Sequence, residues 1–180
     1  MKIIILITII LLPSAASSQV LLKASGAIGN RWNETLNSQT LGKGIRLSAE
    51  KYITQQFTIG AEVSYFAFNP NTTVNIHFNS YNLLVAWYFN TKKLQPYAGA
   101  GFGYTDYQDK TTINLGGGIS SKQSRNKSYG NISAFLGLKY SLTKEKRTAF
   151  SIQANTDFIP IVNISPIGFL SVAAGLSYRL

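Results

Sequence analysis

The feature that most constrains this chain is a period-two alternation of side chains that recurs along it after residue 19. Successive side chains on a β-strand point to opposite faces, so the alternation predicts strands with two chemically different faces. Between residues 57 and 68, Ile59 and Val63 lie on one face while Thr58 and Glu62 lie on the other. The alternating segments are 20–28, 41–51, 57–68, 81–89, 97–104, 128–142, 148–158 and 169–180. We therefore predict an all-β chain of eight strands.

Two architectures alternate in this way. In a soluble barrel or sandwich the bulky face forms the core, whereas in a transmembrane barrel the apolar face meets lipid and the polar face lines the lumen. The second face here is mainly Gly, Ser and Ala with isolated charges, which favours a narrow, crowded lumen. Only 13% of the residues are charged, against roughly 25% in soluble domains. We expect the transmembrane barrel, with a soluble secreted ligand-binding barrel as the alternative.

The links between the segments alternate in length. Short periplasmic turns and longer extracellular loops are typical of outer-membrane barrels. The long links are Gly29–Thr40, Asn69–Ser80, Thr105–Lys127 and Ile159–Gly168, and the short links are Tyr52–Gln56, Asn90–Pro96 and Thr143–Arg147. This rhythm predicts an eight-stranded antiparallel up-and-down transmembrane β-barrel with both termini at the end that carries the short turns.

The first residues have the pattern of a secretory signal. Met1 and Lys2 precede an apolar run, residues 3–12, and small residues follow Pro13. The run is too short to span a bilayer as a helix, which takes about 20 residues. We predict a signal peptide over residues 1–18 and an outer-membrane β-barrel domain over residues 19–180. The expected location is the outer membrane, reached by secretory export.

Two further patterns concern aromatic and apolar residues. Aromatic rings toward both segment ends, Tyr52 among them, are consistent with the girdles that form at headgroup level. In one region the alternation reverses: Val74, Ile76 and Phe78 are apolar at even positions, whereas residues 81–89 are apolar at odd positions. A β-bulge near Asn79 or a hairpin extension with its own register would each account for the reversal.

Two stretches resemble known outer-membrane barrels. Residues 95–104 (QPYAGAGFGY) resemble the Pro-Tyr-x-Gly-x-Gly strand of the OmpA transmembrane-domain and OmpX-like families. Gly175, Tyr178 and Leu180 resemble the C-terminal signal that the barrel-assembly machinery recognises, although its usual last residue is Phe. The resemblance implies a small monomeric barrel that this machinery inserts into the outer membrane.

The inward face carries charges that need partners. Charges in a dry, narrow lumen are costly unless they are paired. A turn centred near Thr54 would place Arg46 opposite Glu62, so we predict an internal salt-bridge network, with a proton or ion path as the alternative. The predicted network residues are Lys23, Arg46, Glu50, Glu62, Lys139, Asp157 and Arg179.

The remaining charges suggest partners at the membrane surface. The chain has a net charge of +10 but no basic recognition helix, so we expect contact with lipid headgroups and no nucleic acid. The longest predicted loop, Thr105–Lys127, is a candidate for contact with lipopolysaccharide phosphates or an external partner. A plain solvated loop is the alternative. Its basic residues are Lys110, Lys122, Arg125 and Lys127.

Nothing in the sequence selects a catalytic centre. His77 is the only histidine, and Ser80 and Asp106 are its conceivable partners for a lipid-modifying enzyme. We predict no catalytic residues, no metal site and no cofactor. The expected function is structural or depends on the loops, in envelope stability or surface contacts. Narrow porin-like transport and lipid modification remain the alternatives.

Overall fold

The structure, a computed structural model, describes residues 19–33, 40–68, 74–116, 119–160 and 167–180. Within these ranges, the side chains of residues 32, 33, 40, 74, 109 and 111–123 are outside the description. Each strand pairs antiparallel with its neighbours along the chain, and the last pairs with the first to close a barrel. The strands are β1 (Val20–Asn33), β2 (Thr40–Tyr52), β3 (Phe57–Phe68), β4 (Val74–Tyr88), β5 (Leu94–Gly116), β6 (Ile119–Ser141), β7 (Thr148–Ile159) and β8 (Ile167–Arg179). The predicted all-β, eight-stranded antiparallel barrel is confirmed.

The barrel has two different ends. The turn end carries the β2–β3, β4–β5 and β6–β7 connections, and the loop end carries the others. The predicted signal peptide, residues 1–18, lies outside the described residues. The first described residue, Gln19, lies at the turn end, where its carbonyl accepts a hydrogen bond from the Tyr52 N–H (3.1 Å). Within the described residues, no helix is long and apolar enough to cross a membrane.

The outer face of the barrel is apolar and the inner face is small or polar. On β8, Leu170, Val172 and Leu176 are each more than half exposed, while Ser171 and Ser177 are buried toward the lumen. A soluble barrel would show the opposite arrangement, because its bulky side chains would fill the interior. The arrangement fits a barrel that is surrounded by lipid.

The predicted long loop Thr105–Lys127 is wrong. Strands β5 and β6 continue into this segment as a hairpin, and their pairing runs from Leu94 opposite Tyr140 to Gly116 opposite Ile119. The register shifts once, between Asn114 and Gly116. The two strands satisfy each other's backbone hydrogen bonds, so they extend beyond their pairing with β4 and β7. The difference in link length therefore reflects strand extension as well as loops.

The alternation reverses near Asn79 for a reason that is neither of the two predicted, a β-bulge or a hairpin extension with its own register. Strand β4 pairs with β3 and with β5 without any register shift, so neither a bulge nor a separate register is present. Its even positions point inward along the described strand, and Ile76 and Phe78 are buried in the lumen. The lumen itself changes from polar to apolar toward the loop end, which reverses the sequence pattern without changing the register.

Close packing inside the narrow barrel leads to a stability prediction. A Cβ added at Gly60 would collide with the Ala49 carbonyl oxygen and the Glu50 backbone, whereas one added at Gly26 would meet nothing within 4 Å. We expect Gly60→Ala to lower the free energy of unfolding by about 1–3 kcal/mol. Gly26→Ala should change it by less than about 0.5 kcal/mol. Denaturant titration of both variants in detergent micelles checks this, and equal effects would contradict it.

Candidate functional site

The lumen is the first candidate site, and its side chains form two layers and a cluster. The polar layer lies in the middle of the barrel and toward the turn end, and contains Lys23, Arg46, Glu50, Thr58, Glu62, Asn155 and Asp157. The tyrosine cluster, closest to the turn end, contains Tyr52, Tyr88 and Tyr97 with Lys139 and Arg179. The aromatic layer lies toward the loop end and contains Ala27, Phe66, Phe68, Ile76, Phe78, Ile159, Ile167, Phe169 and Ala173.

Arg46 joins three strands across the lumen. Its Nη1 donates hydrogen bonds to Glu62 Oε1 (3.1 Å) and Asn155 Oδ1 (2.8 Å). Its Nη2 forms an ion pair with Asp157 Oδ2 (2.5 Å). The guanidinium group therefore links β2 to β3 and, across the barrel, to β7. Only 4% of the residue is exposed, so its charge depends on these partners rather than on water.

The prediction that Arg46 and Glu62 lie directly opposite each other is wrong, because the cross-strand pairing is displaced by two residues. Arg46 lies opposite Ser64, and Glu62 lies opposite Ser48, because the pairing of β2 with β3 is centred on Gln55 rather than Thr54. The ion pair forms nevertheless, since a long arginine side chain reaches a diagonal neighbour on the next strand.

Glu50 is the acceptor for the second set of contacts in the polar layer. Lys23 Nζ lies 2.5 Å from Glu50 Oε1. The Thr58 hydroxyl donates to Glu50 Oε2 (2.8 Å), and the Tyr88 hydroxyl donates to the same oxygen (3.4 Å). Lys23 Nζ also lies 4.9 Å from the centre of the Tyr97 ring. The Ser48 hydroxyl donates to Oε1 at 3.5 Å, so the buried carboxylate is satisfied by one cation and three hydroxyl groups.

The tyrosine cluster holds the two remaining predicted network cations. Lys139 Nζ donates to the Tyr52 hydroxyl (2.9 Å) and lies 4.5 Å from the Tyr88 ring centre. The Arg179 guanidinium lies 5.0 Å from the Tyr52 ring centre. Among the described residues, neither cation forms an ion pair with a carboxylate. Tyr52, which we predicted in the outer aromatic girdle, instead faces the lumen because it occupies an inward position of β2.

The structure therefore brings five of the seven predicted network residues into ion pairs and places the other two beside tyrosines. Sequence reasoning did not select the uncharged partners Asn155, Tyr88 and Tyr97. The signal available in the sequence was strand parity, that is, whether a residue's place in the alternation points it inward or outward. Each of the three occupies an inward position. A cavity of about 20 Å³ lies within the polar layer, which is room for about one water molecule.

The aromatic layer is the part of the lumen that sequence reasoning missed. Phe68 is fully buried, and its ring centre lies 5.7 Å from that of Phe78 and 5.5 Å from that of Phe169. Phe78 and Phe169 pack edge to face at 4.4 Å. The Arg46 guanidinium lies 5.6 Å from the Phe66 ring centre, where the two layers meet. Packed rings leave little space for ions at this level.

The conceivable catalytic set around His77 is not assembled. A hydrogen bond joins His77 Nδ1 to the Tyr65 hydroxyl (2.8 Å), on the outer face. Ser80 faces the lumen and contacts Thr105 (2.8 Å), while the Asp106 carboxylate accepts a hydrogen bond from Ser128. Among the described side chains, His77 has no serine partner of the kind that nucleophilic catalysis requires. Nor do these side chains contain a group of three or more potential metal ligands.

The basic residues of the β5–β6 hairpin form the second candidate site. Lys110, Arg125 and Lys127 are exposed, and the side chain of Lys122 lies outside the described residues. They lie on paired strands rather than in a loop. Lys127 is opposite Tyr107, which packs against the aromatic layer, whereas Lys110 has the opposite strand parity. The hairpin therefore presents cations on both of its faces.

The residues of the predicted assembly signal lie where β8 closes the barrel. Gly175 lies opposite Ser25 on β1, and a Cβ there would collide with the Ala24 carbonyl oxygen. The Tyr178 side chain is nearly half exposed on the outer face. The Leu180 N–H donates to the Val20 carbonyl (2.9 Å).

Comparison with known proteins agrees with this geometry. Residues 3–179 match a family model described as outer membrane protein beta-barrel domain. No curated protein matches the chain.

Several solved structures share the fold. Neisserial surface protein A aligns with a TM-score of 0.69 and 14% identity, over 88% of this chain and 96% of that one. Ail, the attachment invasion locus protein of Yersinia pestis, aligns with a TM-score of 0.57 and 14% identity, over 92% and 100%. The outer membrane enzyme PagL aligns with a TM-score of 0.54 and 14% identity, over 85% and 97%. At these identities the likeness concerns the fold alone.

The Arg46 contacts lead to a stability prediction with a matched control. Arg46→Met leaves Glu62 and Asp157 buried without a cation, which should destabilise the barrel by about 3–5 kcal/mol. Arg147→Met removes an exposed arginine that pairs with Glu145 (3.1 Å) and should cost less than about 1 kcal/mol. Equilibrium unfolding in micelles measures both. Adding Glu62→Gln and Asp157→Asn to Arg46→Met should recover part of the loss, and no recovery would contradict the pairing.

Proposed function

The chain belongs to the outer membrane protein beta-barrel domain family, and on that premise we propose that it is a closed, non-conducting barrel that anchors the β5–β6 hairpin at the cell surface. The observation that carries the proposal is a lumen occupied by a polar layer and an aromatic layer, beneath a hairpin much longer than the other strands. In this proposal residues 1–18 direct secretory export, and the barrel-assembly machinery inserts a monomer. The turn end faces the periplasm.

The contents of the lumen support closure. Eight-stranded barrels have interiors just wide enough for side chains to fill. Here Arg46 bridges opposite sides of the lumen, and the rings of Phe68, Phe78 and Phe169 pack against one another nearer the loop end. The cavity of about 20 Å³ in the polar layer is far smaller than a channel needs. A porin-like transport role is therefore the less favoured alternative.

The length and charge of the β5–β6 hairpin support a role in surface contacts. Strands β5 and β6 have 23 residues each, whereas β1, β2, β3, β4, β7 and β8 have 12 to 15. A tilted strand crosses the membrane with about 9–11 residues, so roughly 12 to 14 residues of each long strand lie beyond it. Exposed lysine and arginine side chains on this projection suit phosphate groups. The fold neighbour Ail has been solved in complex with the heparin analogue sucrose octasulfate.

The proposal includes no catalytic step. The enzyme PagL shares the fold, but a shared fold does not imply a shared function. The hydrogen bond between Tyr65 and His77 and the contact between Ser128 and Asp106 do not form the nucleophile–base pair that acyl transfer requires.

Closure predicts that the purified protein does not conduct. In planar lipid bilayers we expect no stepwise current from the wild-type barrel. The variant Phe68→Ala, Phe78→Ala should also be silent, because Arg46 and its partners still block the lumen. Single-channel recording measures this. Steady conductance steps from the wild-type protein would contradict the proposal.

The hairpin proposal predicts weaker binding of phosphorylated sugars when its charges are removed. The variant Lys110→Gln, Arg125→Gln, Lys127→Gln should bind soluble lipopolysaccharide core oligosaccharide about fivefold less tightly for each charge lost. Lys110→Arg, Lys127→Arg keeps the charge and is the matched control. Calorimetric titration in phosphatidylcholine nanodiscs measures the affinity. If the glutamine variant binds like the wild type, the hairpin is not the contact site.

A further inference from the structure

The three turns at the turn end of the barrel differ in charge. The β4–β5 turn (residues 89–93) and the β6–β7 turn (residues 142–147), which we call the basic turn pair, are both rich in cations. Their charged residues are Lys92, Lys93, Lys144, Glu145, Lys146 and Arg147. The β2–β3 turn, residues 53–56, contains no charged residue. A charge that served only solubility would have no reason to collect on two neighbouring turns.

The basic turn pair is held in a defined shape by its own hydrogen bonds. Asn90 Oδ1 accepts from the Lys92 N–H (2.9 Å), and Thr143 Oγ1 accepts from the Arg147 N–H (3.1 Å). The Lys146 ammonium donates to the Thr91 carbonyl (2.6 Å) and so ties one turn to the other. The cations therefore project from an ordered platform.

Lys146 occupies a backbone position that ordinarily favours glycine or asparagine. Its φ is 56°, in the left-handed region that side chains with a Cβ rarely adopt. A lysine here is unfavourable for the turn itself, yet its ammonium makes the only described side-chain hydrogen bond between the two turns. The backbone conformation alone would not favour lysine here, so the contribution of this residue is the hydrogen bond that its side chain makes to the other turn.

The cations lie where the apolar outer face ends. Phe89, Leu94 and Leu142 are about half exposed or more next to the turns. Lys93 Nζ lies 4.8 Å from the ring centre of Tyr140, which also faces outward. Within the lipid this surface contacts acyl chains, and the neighbouring ammonium groups lie at headgroup height.

The basic turn pair also has an excess of positive charge. Its one acid, Glu145, pairs with Arg147 (3.1 Å). Among the described residues, Lys92, Lys93, Lys144 and Lys146 form no ion pair with a carboxylate. Four ammonium groups therefore lack an anionic counterpart in the part of the chain that the structure describes, and they lie beside a surface that suits acyl chains.

We propose that the basic turn pair binds the phosphate of an anionic phospholipid in the leaflet at the turn end of the barrel. The phosphodiester is attracted by the four ammonium groups, while the acyl chains pack on Tyr140 and Leu142. A zwitterionic lipid such as phosphatidylcholine gains less, because the positive charge of its own headgroup opposes the attraction. This inference rests on the membrane placement proposed above.

Trp87 provides a local probe for the test. Its side chain is 48% exposed on the outer face near the turn end, and Trp32→Phe removes the only other tryptophan. The protein with this substitution is inserted into phosphatidylcholine vesicles that contain a minor fraction of either brominated phosphatidylglycerol or brominated phosphatidylcholine. Quenching of Trp87 fluorescence then compares the two lipids. We expect a preference for phosphatidylglycerol of about fivefold or more, which falls at high salt.

Two sets of substitutions with equal loss of charge test the assignment. Lys92→Gln, Lys93→Gln, Lys144→Gln, Lys146→Asn should bring the preference close to one, and asparagine tolerates the positive φ. Lys43→Gln, Lys110→Gln, Arg125→Gln, Lys127→Gln, toward the loop end, should leave it unchanged. An unchanged preference in the first set, or an equal loss in the second, would overturn the inference.

Two further outcomes are distinguishable. If neither brominated lipid quenches Trp87, the membrane placement itself fails, and the proposed function fails with it. If millimolar inorganic phosphate abolishes the preference while sodium chloride of the same ionic strength does not, the turns bind a free anion, and the lipid assignment is wrong. Quenching with the expected preference that phosphate does not remove supports the inference.

Discussion

Closure of the hydrogen-bonded sheet is the constraint on which the rest of this structure depends. Strand β8 pairs with β1 from Leu21 opposite Arg179 to Asn33 opposite Ile167. Lipid offers no partner for backbone polar groups, so a membrane-spanning sheet needs such a closed ring. Closing the ring with only eight strands makes the lumen narrow. That narrowness explains why glycine occupies inward positions such as Gly60, and why the few large inward side chains contact one another across the barrel.

In a narrow lumen each inward charge needs an oppositely charged or hydrogen-bonding partner. Arg46 and Asp157 are 111 residues apart in the chain yet form an ion pair, because the closed sheet brings β2 and β7 to opposite walls of one small space. Glu50 is satisfied in a similar way by Lys23 and Thr58. The result is an interior occupied by mutual contacts. Within the described ranges, the projecting hairpin and the basic turns are the surfaces that we propose for contact with partners.

The sequence predicted the strand number and the inward direction of Lys23, Arg46 and Glu50, because alternation is a local property that each segment shows independently. It failed where two segments had to be placed against each other. The β2–β3 pairing proved to be centred one residue later than predicted, which shifted Arg46 from Glu62 to Ser64. The segment 105–127 looked like a loop because its polar residues carry no apolar face, although its strands pair with each other. Ile76 and Phe78 were misread because lumen positions were assumed to be polar throughout.

The sequence by itself therefore determined the alternation, the apolar exterior and the positions at which charge enters the lumen. Only the tertiary structure decided which inward side chains meet, that an aromatic layer lies above the polar one, and that two basic turns are tied together through Lys146 and Thr91. The physical reason is that side-chain direction depends on strand parity, which can be read within one segment. Contacts across a barrel depend on the combined register of all eight strand pairs. That register cannot be read from the sequence of any single segment.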